Sequence, residues 1–257
     1  MNYIIGKNAV IEALRAGVGI DKVFLAGADT DKALRHIAGT ARAAGAVVVD
    51  ADKRKLDSLC IDAAKDVDNA ETEGYNQRVH QGVVAIAAVA EYSTIEEILS
   101  SAKQKNEQPL IVICDEISDP HNLGAIIRTA EAVGAHGIIV PKRRSAGLGA
   151  TVAKASSGAV FHSKIARVPN ITASIRELKN LGIWIFGAAA DGDSALWETD
   201  LTVPTAIVIG SEGKGISRLV SENCDFKVNI PMVGKLSSLN ASVSAAILLY
   251  EAYRQRR

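Results

Sequence analysis

A chain of 257 residues, 48% hydrophobic and 23% charged, carries enough apolar material for one large or two modest domains with real cores. Lys plus Arg and Asp plus Glu stand at 29 each, and this zero balance speaks against a protein that coats nucleic acid without selectivity. No apolar run approaches the ~20 residues of a bilayer span, and MNYIIGKNAV lacks the basic-then-apolar order of a signal peptide. Cys60, Cys114 and Cys224 are odd in number and widely spaced, which fits a reducing cytoplasm better than a disulfide framework or a zinc site.

Residues 1–92 read as a small α/β unit. Helical spacing at 8–16 and 30–44, and a third helix at 52–60, alternate with short apolar runs at 22–26 (KVFLA) and 46–49 (AVVV). An acidic loop at 66–76 precedes His80-Gln81-Gly82 and the buried-strand run VVAIAAVA. Residues 93–107 begin as a helix and end in SAKQKNEQP, a polar tail that marks a linker before a second domain at 108–257.

From Leu110 onward the pattern is regular. LIVICDEI, GIIV (137–140), KIARV, WIFGAAA and TAIVIG (205–210) are continuous apolar strands, separated by helical stretches at 123–133, 150–157 and 171–181. Such strands predict an α/β fold with a mostly parallel sheet covered on both faces. A further apolar run at 228–232 reads as a strand end and leads to a final helix. Leu239, Val243, Ala246, Ile247 and Tyr250 recur there at three- and four-residue steps and make its apolar face. Trp184 and Trp197 read as packing residues.

Ligands of parallel α/β sheets bind beyond the carboxyl ends of the strands, and three loops there carry suspicious residues. In DPHNLGAIIRTAE, Asn122 sits in the loop after the first strand and Gly124 permits a tight turn. Arg128 lies on the following helix, within reach of Glu131 at i+3. In IGSEGKG, Gly210, Gly213 and Gly215 bracket Glu212, a turn that fits neither a Walker A loop nor a dinucleotide fingerprint. In KLSSLNAS, Ser237, Ser238 and Asn240 crowd the first turn of the last helix, where free N–H groups favour a carboxylate, phosphate or hydroxyl. No nucleophile elbow, HExxH or metal-ligand spacing occurs, so no metal is expected. The five His are scattered and read as structural or surface residues. The patches Lys142-Arg143-Arg144 and Arg254, Arg256, Arg257 are the local basic clusters that RNA contact would need; charge alone favours a solvated surface for both.

Together, N-L-G-x-x-x-R (122–128) with A-E-A-V-G-A, then I-G-x-E-G-x-G (209–215), then I-P-M-x-G-x-x-x-S-L-N-x-S-V-S (230–244) resemble the SpoU/TrmH family of RNA ribose 2′-O-methyltransferases. The likeness covers residues 108–257. IIGKNAVIEAL and HQGVVA in the amino-terminal half are similar to the substrate-binding domain of the RlmB branch, which methylates a guanosine ribose in large-subunit (23S) rRNA. The resemblance implies a carboxy-terminal α/β-knot, a deep trefoil of SPOUT type, joined to a small L30e/L7Ae-like α/β domain that grips RNA. It also implies a homodimer with S-adenosylmethionine as methyl donor. Carried over by position, Asn122, Arg128, Glu212, Ser238 and Asn240 take the catalytic places. Gly210, Ile230 and Leu239 line the cofactor, and Ser242 adds a polar contact. A tRNA ribose methyltransferase and a noncatalytic RNA-binding or ribosome-assembly protein are the alternatives; a dinucleotide-dependent dehydrogenase is a distant third.

Overall fold

The computed structural model describes residues 2–65, 80–234 and 238–257, with backbone alone at Asn2, Ala64 and Lys65. The acidic loop expected at 66–76 and Ser237 lie outside the described residues. The chain divides into two compact units, Met1–Glu91 with Gly147–Ala150, and Tyr92–Ala146 with Thr151–Arg257.

The first unit runs β1 (Asn2–Ile5), α1 (Lys7–Arg15), β2 (Ile20–Leu25), α2 (Lys32–Ala43), β3 (Val47–Asp50), α3 (Lys53–Lys65) and β4 (Val83–Ala87). Its sheet has the order β1-β4-β2-β3, with β4 antiparallel to both neighbours and β2 parallel to β3. The alternation of each helix supplies the core. Val10 and Leu14 of α1 and Leu34, Ile37, Ala38 and Ala41 of α2 bury against Val23, Leu25, Val83 and Ala85. Asp31 caps α2 by accepting from the N–H groups of Ala33 and Leu34. Lys7 holds the Asp31 carboxylate below the ordinary range, and the same two backbone N–H groups help. β1 carries no period long enough to read from sequence; four residues acquire strand form by pairing with β4.

The second unit runs α4 (Ile95–Lys105), β5 (Leu110–Cys114), α5 (Pro120–Ala132), β6 (Gly137–Pro141), α6 (Ala150–Ala155), β7 (Ile165–Val168), α7 (Ile171–Asn180), β8 (Trp184–Ala188), β9 (Ser194–Ala195), β10 (Thr205–Ile209), α8 (Arg218–Ser221), β11 (Phe226–Asn229) and α9 (Ala241–Gln255). Its seven strands pair in parallel in the order β7-β6-β5-β10-β8-β11-β9. The expected α/β class with a parallel sheet is what the chain adopts. β5 and β10 are buried along their whole length, as continuous apolar runs require. Ile98 of α4 and Ile175 and Leu178 of α7 join Ile111, Ile113, Ile139 and Val208 in one cluster. Each such side chain contributes about 1.5–3 kcal/mol by leaving water.

Local signals set the helix ends. Thr94 and Glu97 form a reciprocal capping box on α4, and Asn106 closes that helix in the left-handed region at φ 55°. On α5, Asp119 accepts from His121 N–H at 3.0 Å and Pro120 takes the first helical position. The helix therefore starts earlier than the apolar spacing suggested, and Asn122 belongs to its first turn instead of the loop before it.

Two expectations are corrected. The face of α9 read as core, through Val243 and Tyr250, looks outward: these are 46% and 53% exposed, while Ala241, Ala245, Leu248, Leu249 and Ala252 are buried. This helix is apolar nearly all round, so spacing alone could not choose the buried side. Trp184 and Trp197 are exposed too, although Trp184 sets its ring 5.7 Å from that of Phe226. Among the described residues, no helix is long and apolar enough to cross a membrane.

Candidate active site

Because β5, β10, β8 and β11 are parallel neighbours, the loops leaving their carboxyl ends meet at one edge of the sheet. Three residues far apart in sequence come together there. Asn122 Nδ2 donates to Glu212 Oε1 at 3.0 Å, Asn240 Nδ2 donates to Asn122 Oδ1 at 3.0 Å, and Asn240 Nδ2 also donates to Glu212 Oε1. The cluster is a closed triangle of two amides and one carboxylate.

Each corner is positioned by local structure. Asn122 stands on the first turn of α5. Glu212 rides a small hairpin closed by reciprocal bonds between Ser211 and Gly215, 3.1 and 2.8 Å long. Gly213 and Gly215 occupy positive φ, at 78° and 66°. Gly210 enters that hairpin so closely that an added Cβ would land on the Gly215 carbonyl and the Ile216 nitrogen. Asp115, buried at the end of β5, accepts from Ser217 N–H at 2.7 Å and pins the far end of the hairpin. Asn240 is the N-cap of α9. Its Oδ1 accepts from Ser242 N–H at 2.9 Å, Val243 N–H at 3.2 Å and the Ser242 hydroxyl at 2.6 Å, which leaves Nδ2 for the cluster. Ser242 thus serves this cap, whose N-cap residue is Asn240.

Beside the triangle opens a cavity of about 770 Å³. Gly210, Glu212, Ile230, Ser238 and Leu239 all line it, together with the segment 188–191 after β8. That last segment was not singled out from sequence, although it follows a strand of the same sheet and the carboxyl-end rule would have pointed to it. Asp115 was missed as well, since nothing local to it signals a partner 102 residues away.

Arg128 is not part of this assembly. It is exposed on α5, has no hydrogen bond or ion pair among the described residues, and does not pair with Glu131 as its i+3 spacing allowed. The carboxy-terminal basic patch is occupied internally. Arg256 donates to the carbonyls of Gln108, Pro109, Leu201 and Val203 at 2.6–3.1 Å, and Arg254 is paired with Glu251. Arg254 and Gln255 hold the Glu251 carboxyl down at about 2.

A second cavity, of about 700 Å³, lies at the opposite edge of the sheet. His136 is buried there; its Nδ1 accepts from Leu110 N–H at 3.0 Å, so Nε2 carries the proton toward Glu107 Oε2 at 3.1 Å. This His ties the start of β5 to the turn before β6, a structural task. Cys114 is likewise inert: burial, with the Asp115 charge adding to it, pushes its thiol up to about 12.

Residues 109–250 match the model of the SpoU rRNA Methylase family, and residues 3–64 match that of the RNA 2′-O ribose methyltransferase substrate-binding domain. The chain belongs to the SpoU/TrmH family of RNA methyltransferases. YacO of Bacillus subtilis, named for the TrmH family of tRNA/rRNA methyltransferases, is 44% identical over 99% of this chain and 96% of its own length. Among solved structures, the SpoU methyltransferase AviRb from Streptomyces viridochromogenes in complex with AdoMet superposes with a TM-score of 0.60 at 26% identity, over 99% of this chain and 90% of that one. The AdoMet-bound rRNA methyltransferase from Sinorhizobium meliloti gives 0.59 at 27%, over 98% and 86%. For a SpoU/TrmH chain, the asparagine–glutamate triangle and the adjoining cavity occupy the segments by which the family motifs were recognised.

Proposed function

We propose that this protein transfers the methyl group of S-adenosylmethionine to the ribose 2′-hydroxyl of a guanosine in 23S rRNA. The observation that carries the reading is the Asn122–Glu212–Asn240 triangle, whose Glu212 also lines the cavity formed by Gly210, Ile230 and Leu239. The donor fits that cavity. Its volume is in the range of small-ligand sites, and its wall at Gly210 is backbone that a Cβ would obstruct. Ile230 and Leu239 offer apolar contact, and Ser238 and Glu212 offer polar contact.

When bound, the donor supplies a methyl group already activated by its sulfonium, so the protein's work is alignment and proton management. Asn122, Ser238 and Asn240 orient the ribose, and Glu212 holds the two asparagine-bearing helix starts together. Arg128, exposed and uncommitted, engages an RNA phosphate and polarises the nucleophilic hydroxyl. Its guanidinium does not itself take the proton, because it stays charged at any working pH; phosphate or water receives it.

Further parts of the reading rest on the family. The 108–257 domain forms a trefoil knot, for which the packing of α9 on α5 and β10 is the supporting contact. Two copies associate through this domain, and the outward face of α9 with Val243, Ile247 and Tyr250 supplies apolar surface for it. The 1–92 domain, similar to L30e/L7Ae, holds the RNA, and the protein works in the cytoplasm. One observation favours a second substrate: the B. subtilis relative carries both RNA classes in its name, so tRNA is the rival acceptor. The test is methyl transfer from labelled S-adenosylmethionine to unmodified total RNA, with size separation and nucleoside analysis. Label as 2′-O-methylguanosine in large-subunit rRNA is expected. Label in tRNA moves the substrate, and absence of both transfer and donor binding favours a noncatalytic RNA-binding protein.

A further inference from the structure

The motif Lys142-Arg143-Arg144 is left unexplained by the site above. It leaves the carboxyl end of β6, which pairs with β5 on the side away from β10. The cavity extends from the triangle across β10, β8 and β11, so at this edge of the sheet the two flanks of Asn122 differ in kind. One flank is the cavity; the other is this basic loop.

The loop is built to a fixed shape. Lys142 N–H donates to Val168 O at 2.8 Å, Ala146 N–H to Ile117 O at 2.9 Å, and Arg144 Nη1 pairs with Glu116 Oε1 at 2.7 Å. Glu116 and Arg144 both sit at φ 58°, a left-handed conformation that is uncommon for such residues and that persists where surroundings impose it. Two strained residues on adjacent loops are thus tied to each other, six residues from Asn122. Charge near the loop is already allotted. Glu116 neutralises Arg144, Asp115 holds Ser217, and Asp119 caps α5. Lys142 and Arg143 have no ion-pair partner among the described residues, and Arg143 is exposed. The other basic cluster differs, since Arg254 and Arg256 are committed inside the fold and Arg257 lies 4.5 Å over the Tyr253 ring.

We propose that the loop at 142–146 grips the phosphates flanking the target ribose, through Lys142 and Arg143, with the Glu116–Arg144 pair holding the loop beside Asn122. This rests on the reading of the triangle as a ribose-methylating site. In-line transfer places the acceptor oxygen across the methyl group from the sulfur, so the RNA strand approaches from the flank opposite the cavity, where Lys142 and Arg143 stand. Phosphate contacts by Lys and Arg fix an RNA strand in register without reading its bases.

The test is RNA binding by the full chain, with an in vitro transcribed 23S rRNA fragment and bulk tRNA as probes, titrated over a series of KCl concentrations. The wild type is compared with K142A/R143A and with K103A/K105A, which removes equal charge from the end of α4 at the opposite edge of the sheet. K142A/R143A is expected to weaken RNA binding several-fold and to lower the slope of log affinity against log salt by about 1.4, at ~0.7 for each single-strand phosphate contact. K103A/K105A keeps the wild-type slope, and S-adenosylmethionine affinity by calorimetry is the same in all three. Equal affinity and equal slope in K142A/R143A and wild type overturn the proposal, as does an equal loss in both double variants. A wild type that binds RNA through Lys142 and Arg143 yet neither binds the donor nor transfers methyl rejects the enzyme reading and leaves the grip standing.

Discussion

Asn240 does two jobs with one side chain, and substitution can separate them. Its Oδ1 caps α9 through Ser242 and Val243 N–H, while its Nδ2 serves Asn122 and Glu212. Asn240→Ala removes both; loss of the cap alone costs about 1 kcal/mol, or a fall in Tm of roughly 2–4 °C for a domain of this size. Asn240→Asp is more informative. A carboxylate caps as well as an amide and sits favourably at a helix N-terminus. Where Nδ2 stood, however, an oxygen now faces the Glu212 carboxylate and the Asn122 carbonyl oxygen. Two like charges ~4 Å apart repel by about 1 kcal/mol in water-like surroundings and about 4 kcal/mol at a protein-surface dielectric; these residues are exposed, so the lower end applies. The expected result is a folded Asn240→Asp protein with an intact α9 and an opened triangle, seen as weakened methyl transfer at neutral pH. Repulsion also raises the pKa of one carboxyl, so transfer recovers partly as pH falls and a proton bridges the pair. Thermal unfolding, donor calorimetry and initial transfer rates at about pH 5.5–8 measure this. Wild-type transfer by Asn240→Asp across that range would refute the role given to the triangle.

Three other perturbations have defined outcomes. Arg128→Ala should keep donor binding by calorimetry and lose methyl transfer; near-normal turnover would remove Arg128 from the mechanism. Gly210→Ala drives a methyl into main chain at Gly215 and Ile216, an overpacking cost of about 1–3 kcal/mol; it should abolish donor binding by displacing the hairpin, and an unchanged Kd would show that the backbone yields. Burial, only partly offset by Glu107, holds the His136 pKa below its ordinary value. The unfolded chain therefore takes up a proton near pH ~6.5 that the folded one resists, and stability declines as pH drops from about 6.5 toward the folded pKa. Tm against pH should show this fall in the wild type and lose it in His136→Gln.

How much of the fold could be read in advance depended on what each element obeys. β5, β8 and β10 start at the residues where their apolar runs start and end one to three residues before those runs do, because strands covered on both faces are drawn from apolar residues almost throughout. β1 and the two-residue β9 are strands by partnership only, and no property of their own sequence distinguishes them. The buried side of α9 failed for a related reason. A helix that presents apolar residues to the core and outward too has no stripe to detect, and its orientation is set by Asn240 at one end and by Gln255 and Arg256 at the other.

The site divides along the same line. Asn122, Glu212 and Asn240 each sit in a locally explicable place: the first turn of a helix that opens with Asp-Pro, the tip of a glycine-rich hairpin, and an N-cap. Local rules give those places and say nothing of the triangle, whose bonds cross 28, 90 and 118 residues. What joins them is the strand order, in which β10 enters between β5 and β8 although β6, β7, β8 and β9 all lie between β5 and β10 along the chain. Placing a late strand at the centre brings a loop from residue 212 against one from residue 122, and periodicity carries no record of that order. Asp115 shows the same limit from the other direction. Its carboxylate fixes the hairpin that carries Glu212, yet in sequence it is only the polar residue ending an apolar run. Geometry assigns it that task, and composition could not.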